Sequence, residues 1–96
     1  MKKYKGKVAV ITGAASGIGR AIAERCAQED MKVVIADVEK TALRKTAREL
    51  KAAGAQVLPV LTDVSKSGDV ERLARKTLDA YGSVHLLFNN AGVTTG

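Results

Sequence analysis

The sequence predicts an α/β fold, a doubly wound parallel sheet in the order β-α-β-α-β-α-β, and three observations point to it. Four short runs rich in Val, Ile and Leu recur along the 96 residues. Segments with helical spacing of apolar residues alternate with them, and glycine falls where the chain must turn between the two kinds. Runs that are apolar on both faces suit a parallel sheet with helices on each side, because neither face meets water.

The first run, Lys7 to Ile11, reads as a strand and leads into Thr12-Gly13-Ala14-Ala15-Ser16-Gly17-Ile18-Gly19. Residues 18 to 29 then place Ile18, Ala21, Ile22 and Cys26 on one helical face. Lys32 to Ala36 is the second strand, and Leu43, Ala47 and Leu50 mark the second helix. Gln56 to Leu61 is the third strand and Val84 to Phe88 the fourth. Between those two, Val70, Leu73, Ala74, Thr77, Leu78 and Tyr81 form a helical stripe opposite Glu71, Arg72, Arg75 and Lys76, with Ser65 or Ser67 as its N-cap. Gly54 and Gly82 fall just past the second and third helices, where a left-handed residue ends a helix. Right-handed crossovers give the strand order 3-2-1-4, with the third strand at an outer edge. Pro59 fits that order, since a residue without an N–H is tolerated at an edge.

Length and composition confine the chain to one small domain over residues 1–96. With 46% apolar and 27% charged residues and no long apolar tract, the expectation is a cytoplasmic globular chain with no membrane partner. A single cysteine, Cys26, excludes an internal disulfide and falls on the apolar face of the first helix, where it reads as an inert thiol. The net charge of +6 is uneven. Lys2, Lys3, Lys5 and Lys7 lie in the first seven residues, leaving 12 basic against 10 acidic residues beyond them. A basic tail on a near-neutral body, with Tyr4, Tyr81 and Phe88 as its only aromatic residues, gives no stacking surface for nucleic acid. His85 has no Cys, Asp or Glu at ligand spacing, so no metal is expected. Tyr81 reads as packing at a helix end.

The turn after the first strand carries the chemistry. Three glycines let backbone N–H groups approach a phosphate without Cβ obstruction, and the helix that follows offers unpaired donors and the positive end of its dipole. The unit from residue 8 to residue 37 is 30 residues long, the size of a dinucleotide-binding β-α-β. Its glycine spacing departs from G-x-G-x-x-G, with Ile22 where a third glycine would stand and Gly13 upstream instead. Asp37 ends the second strand 18 residues beyond Gly19, placed to accept hydrogen bonds from an adenosine ribose diol and to repel a 2′-phosphate. It favours NAD over NADP, and residues 14–18 hold no basic side chain to argue otherwise. A local role for Asp37 at the start of the second helix is compatible with this one.

Thr12-Gly13-x-x-x-Gly17-Ile18-Gly19, Asp63-Val64 after the third strand and Asn89-Asn90-Ala91-Gly92 after the fourth resemble, in order and position, the motifs of the short-chain dehydrogenases/reductases. The likeness runs from about Lys5 to Gly96. It implies a partial Rossmann fold that forms the NAD-binding portion of a longer oxidoreductase, one that moves hydride between a nicotinamide cofactor and an alcohol or carbonyl compound. By the same resemblance Ser16, Gly17 and Ile18 line the pyrophosphate turn and Asp37 holds the adenosine ribose. Asp63 bonds the adenine amino group beside the Val64 backbone, with capping of the next helix as its other role. Asn90 and Ala91 border the cofactor, or the Asn90 side chain staples the fourth strand to the backbone at Thr12.

The resemblance also implies catalysis by a Tyr-x-x-x-Lys pair and a Ser, assisted by an Asn, on elements after the fourth strand. Residues 1–96 hold no such pair: Val8 lies four residues after Tyr4, and His85 four after Tyr81. No catalytic residue is assigned, and the 96-residue chain alone is expected to be inactive. A truncated piece, one segment of a nicked enzyme and a complete short domain all fit. The alternative function is a non-catalytic nucleotide-binding or interaction module. An exposed apolar edge at the fourth strand leads us to expect association, with a C-terminal part or with a second copy.

Overall fold

Four parallel strands form one sheet in the order β3-β2-β1-β4: β1 (Val8–Thr12), β2 (Lys32–Asp37), β3 (Gln56–Leu61) and β4 (Leu86–Asn89). Three helices connect them, α1 (Gly17–Gln28), α2 (Lys40–Ala52) and α3 (Ser67–Tyr81). The structure is a computed structural model and describes residues 3–90. The strand order and the alternation are those predicted, and β3, with Pro59 opposite Ile35, is an edge. β1 and β2 are central; Val8–Ile11 and Val33–Ala36 are apolar and buried on both faces, while Lys32 and Asp37 at the ends of β2 are only partly buried.

The register aligns Ile11 with Ile35 on one side and with Phe88 on the other. Strand alternation divides the core in two. Ala9, Ile11, Val33, Ile35 and Val57 pack against Ala23 and Cys26 of α1 and Leu43, Ala47 and Leu50 of α2. Val8, Val10, Val34, Ala36 and Val60 pack against Leu73 of α3, with Tyr81 beside them. The Lys32 ammonium lies 5.6 Å from the Tyr81 ring centroid, and burial raises the phenol pKa. Burial likewise raises the Cys26 thiol above its ordinary value, which keeps it protonated and unreactive.

Several local expectations are corrected. The buried face of α1 is Gly19, Ala23 and Cys26 with Ile22 partly covered, whereas Ile18, at 72% exposure, and Ala21 face solvent. The helix is rotated because Gly19 lies against the Gly13 carbonyl, where any Cβ would collide with it. On α3 only Leu73 and Thr77 are fully buried; Val70, Ala74 and Leu78 remain exposed, because the helix rests on β2 and β3 along one side. Neither serine caps α3. Lys66 is the N-cap and no side chain bonds the helix start, Ser67 is the first helical residue, and Ser65 turns back to Asp63. β4 begins at Leu86, so Val84 and His85 precede it.

Candidate functional site

The carboxyl ends of β1, β2 and β3 bring the predicted groups to one end of the sheet, beside the β1/β4 boundary where the strand order reverses. β1 runs into a turn in which Gly13 (φ 64°) and Gly17 (φ 59°) adopt left-handed backbone open to glycine at little cost. The Ala14 N–H donates to Ala36 O at 3.2 Å, carrying the β1–β2 ladder one residue further. Ser16 is the N-cap of α1 in extended conformation, yet its hydroxyl makes no capping bond. The amino end of α1 is thus uncapped, on a turn where Ser16, Gly17 and Ile18 are all exposed. Apart from its own chain neighbours and helix backbone, nothing among the described residues crowds the space an ideal Cβ on Gly17 would occupy. An open set of N–H groups at a helix start is a site for an anionic oxygen.

Asp37 stands at the end of β2, half-buried. Its Oδ2 accepts the Ala15 N–H at 3.0 Å and its Oδ1 accepts the Glu39 N–H at 3.0 Å. The carboxylate therefore touches the glycine-rich turn and also the approach to α2. Ala15 is fastened at its other end as well, where Thr46 Oγ1 of α2 donates to its carbonyl at 3.4 Å. Val38, next to Asp37, is an exposed apolar residue.

Asp63 follows β3. Its Oδ1 accepts from Ser65 Oγ at 2.6 Å and from the Ser65 N–H at 3.0 Å, and these bonds hold the carboxyl below its ordinary pKa. The Asp63 N–H donates to Asp69 Oδ2 on α3 at 2.9 Å. Arg72 pairs with Asp69 at 3.8 Å and donates to the Leu61 carbonyl, so the first turns of α3 secure the loop that presents Asp63 and Val64.

At the fourth strand the staple is displaced by one residue from its expected place. Thr12 Oγ1 donates to Asn89 Oδ1 at 3.0 Å, while Asn90 Nδ2 donates to the carbonyl of Gly13, not to Thr12, at 3.5 Å. The cause is register: Asn89 lies directly opposite Thr12, which puts Asn90 level with Gly13. Ala91 and Gly92 lie outside the described residues. A hollow of about 420 Å³ bounded by Lys5, Asp30, Met31, Lys32 and Gln56 opens at the opposite, amino end of the strands and holds none of these groups. Among the described residues no group of three His, Cys, Asp or Glu could hold a metal, and no helix is long and apolar enough to cross a membrane.

Sequence reasoning missed three supporting residues. His85 accepts the Val8 N–H through Nδ1 at 2.9 Å and donates its own N–H to Val8 O at 2.9 Å, closing both backbone groups of the first β1 residue. Asp69 and Thr46 act through the turns they hold. The signal for Asp69 was an acidic residue in the first turn of a helix; His85 and Thr46 carried none, because their partners lie 77 and 31 residues away.

The family model of the short chain dehydrogenases matches residues 7–96. A CLA biosynthesis dehydrogenase/reductase of Lactiplantibacillus plantarum is 43% identical over 93 residues, 97% of this chain and 32% of that protein. A 1-deoxy-11-beta-hydroxypentalenate dehydrogenase of Streptomyces exfoliatus is 48% identical over 87 residues, covering 91% of this chain and 32% of the relative. Among solved structures, a short chain dehydrogenase/reductase from Burkholderia phymatum in complex with NAD superposes with a TM-score of 0.92 at 58% identity, over 97% of this chain and 33% of the other. An actinorhodin polyketide ketoreductase with NADPH superposes with a TM-score of 0.89 at 36% identity, over 100% of this chain and 37% of the other. The chain spans about a third of the length of the relatives it matches.

Proposed function

Because this chain belongs to the short-chain dehydrogenase family, we propose that it is the dinucleotide-binding portion of an oxidoreductase that passes hydride between a nicotinamide cofactor and an alcohol or carbonyl compound. One observation carries the proposal: an uncapped helix start on an exposed glycine turn lies at the same end of the sheet as a carboxylate ending β2. A bound nicotinamide dinucleotide would supply the hydride-transfer chemistry. The chain's own residues bind and orient it. The turn at Gly13, Ser16, Gly17, Ile18 and Gly19 receives the pyrophosphate on backbone N–H groups, and the exposed Ile18 side chain gains apolar cover from the ligand. Asp37 accepts the adenosine ribose hydroxyls, while Asp63 and the Val64 backbone border the adenine. Asn90 and Ala91, with Gly92 in the same motif, border the cofactor's ribose region. The catalytic Ser and Tyr-x-x-x-Lys expected of the family are not among residues 1–96, so this chain alone holds cofactor without turnover.

NAD is the preferred cofactor, since a 2′-phosphate would meet the charge of Asp37 with no basic side chain in residues 14–18 to offset it. Titration of NADH and NADPH into the purified chain, followed by nicotinamide fluorescence, should give tighter NADH binding. Asp37→Ala should weaken NADH about tenfold, the value of one charge-assisted hydrogen bond, and raise the relative affinity for NADPH. An unchanged ratio would remove Asp37 from cofactor choice; no binding of either nucleotide by the folded chain would end the reading altogether.

A further inference from the structure

We propose that Asp37 is a positioning residue for the glycine-rich turn in its own right, so that cofactor choice and the shape of the pyrophosphate site depend on one carboxylate. Both Asp37 oxygens accept backbone N–H groups of the chain: Oδ2 takes the Ala15 N–H and Oδ1 takes the Glu39 N–H, each at 3.0 Å. Ala15 lies in the middle of the turn, is 5% exposed, and has its carbonyl bonded to Thr46 on α2. Its N–H has left water and is met by a carboxylate, and leaving such a donor unmet is costly. The turn is therefore clamped between β2, through Asp37, and α2, through Thr46, immediately before the residues whose N–H groups start α1.

The chemistry requires Asp specifically. Two backbone donors approach from different elements, and only a side chain with two acceptor atoms at this length meets both; Asn offers one acceptor and would turn an NH₂ toward the other donor. An ionised carboxylate has about four acceptor positions, so two backbone bonds leave capacity for ribose hydroxyls. Ribose binding and turn clamping thus coexist on Asp37. Exchanging it to admit a 2′-phosphate removes the charge and the clamp together, and tolerance of NADP comes with a looser pyrophosphate turn.

Amide hydrogen exchange of the ligand-free full protein tests the clamp without reference to any cofactor. In Asp37→Ala the Ala15 amide should exchange about 10 to 100 times faster, as expected for loss of a hydrogen bond to a charged group, while Val33, Val34 and Ile35 in β2 keep their protection. Unchanged exchange at Ala15 in that folded variant would overturn the proposal. Asp37→Asn provides a second variant should the alanine form fail to fold: with one acceptor it can hold Ala15 or Glu39 but not both, and unaltered exchange at both amides would equally overturn it. The link to binding rests on the nicotinamide-dinucleotide reading above and has its own readout. An NAD analogue lacking the adenosine 2′- and 3′-hydroxyls gives Asp37 nothing to hold on the ligand, yet its affinity should still fall about fivefold or more in Asp37→Ala. Equal affinity in both proteins would overturn the link, whereas failure of NAD to bind the wild type would instead remove the functional reading and leave the exchange result standing.

Discussion

Gly19 sits where α1 lies directly against the turn that precedes it. A Cβ there would overlap the Gly13 carbonyl and come to 3.0 Å from Asn90 Nδ2, and both neighbours are held in place, one in the turn backbone and the other at the end of β4. Gly19→Ala should therefore cost about 1–3 kcal/mol, the range for overpacking a rigid contact, and should push α1 away from the turn. Urea unfolding measures the first effect, and NADH titration measures the second as weakened binding. A stability change below a few tenths of a kcal/mol would mean that the turn yields freely. The glycines were legible in the sequence as a group, because a β-to-α turn that receives an anion needs them. Their separate duties were not: Gly13 and Gly17 supply left-handed backbone, whereas Gly19 supplies absence of volume, and only the neighbouring carbonyl distinguishes the two. Asp37 follows the same division, its place at a strand end readable from spacing and its bond to Ala15 decided by how a loop 22 residues earlier folds back.

At the scale of elements, β1 and β4 are joined by side-chain hydrogen bonds at both ends of their ladder. His85 stands just before β4 and closes both backbone groups of Val8, and Thr12 and Asn89 bond at the other end of the pair. Val8 is 1% exposed, so removing the imidazole strands a buried N–H. His85→Ala should cost about 1–3 kcal/mol and accelerate exchange of the Val8 amide, with β2 and β3 unaffected. His85→Asn, whose Oδ1 can stand in for Nδ1, should recover part of the loss; equal stability in all three proteins would show that water replaces the ring. The central strands were easy to read because β1 and β2 are apolar on both faces, and β3 matched its expected bounds. Helix faces were harder. The spacing in α1 and α3 allows more than one rotation about the helix axis, and the choice lies with what each helix touches: the Gly13 carbonyl for α1, and the β2/β3 side of the sheet for α3.

Taken whole, the molecule is asymmetric across its sheet. Among the described residues α1 and α2 seal one face over the central strands, whereas α3 covers part of the other and leaves Leu87, Leu78 and Val70 exposed. The ends of the sheet differ too, since the carboxyl end carries the loop secured by Asp63, Asp69 and Arg72. Asp63 is held below its ordinary pKa by the Ser65 hydroxyl and N–H, so its bonds favour the folded state while it is ionised. A carboxyl whose folded pKa lies below the unfolded value of about 3.9 contributes stability in full above that value and loses it as pH falls through the folded one. The stability difference between wild type and Asp63→Ala should accordingly be constant well above the unfolded value of about 3.9 and shrink as pH falls below it through the lowered folded pKa. Chemical denaturation across that range checks it, and a difference that persists unchanged in acid would mean that the Ser65 bonds do not depend on the charge.

By itself the sequence determined the two-sided apolar core, the glycine turn and the carboxylate that ends β2, which follow from periodicity or from a conformational need of residues close together in the chain, and, through the right-handedness of β-α-β crossovers, the strand order. Tertiary structure alone decided which face α1 buries, that Asn90 reaches Gly13 instead of Thr12, that His85 completes β1, and that Asp37 holds the turn it was expected only to accompany. The physical reason is the same in every case. A steric contact such as Gly19 against the Gly13 carbonyl, or a hydrogen bond between residues 22 to 77 positions apart, leaves no period in the sequence, and exists only once the turn has closed or the parallel strands have brought the partners within reach.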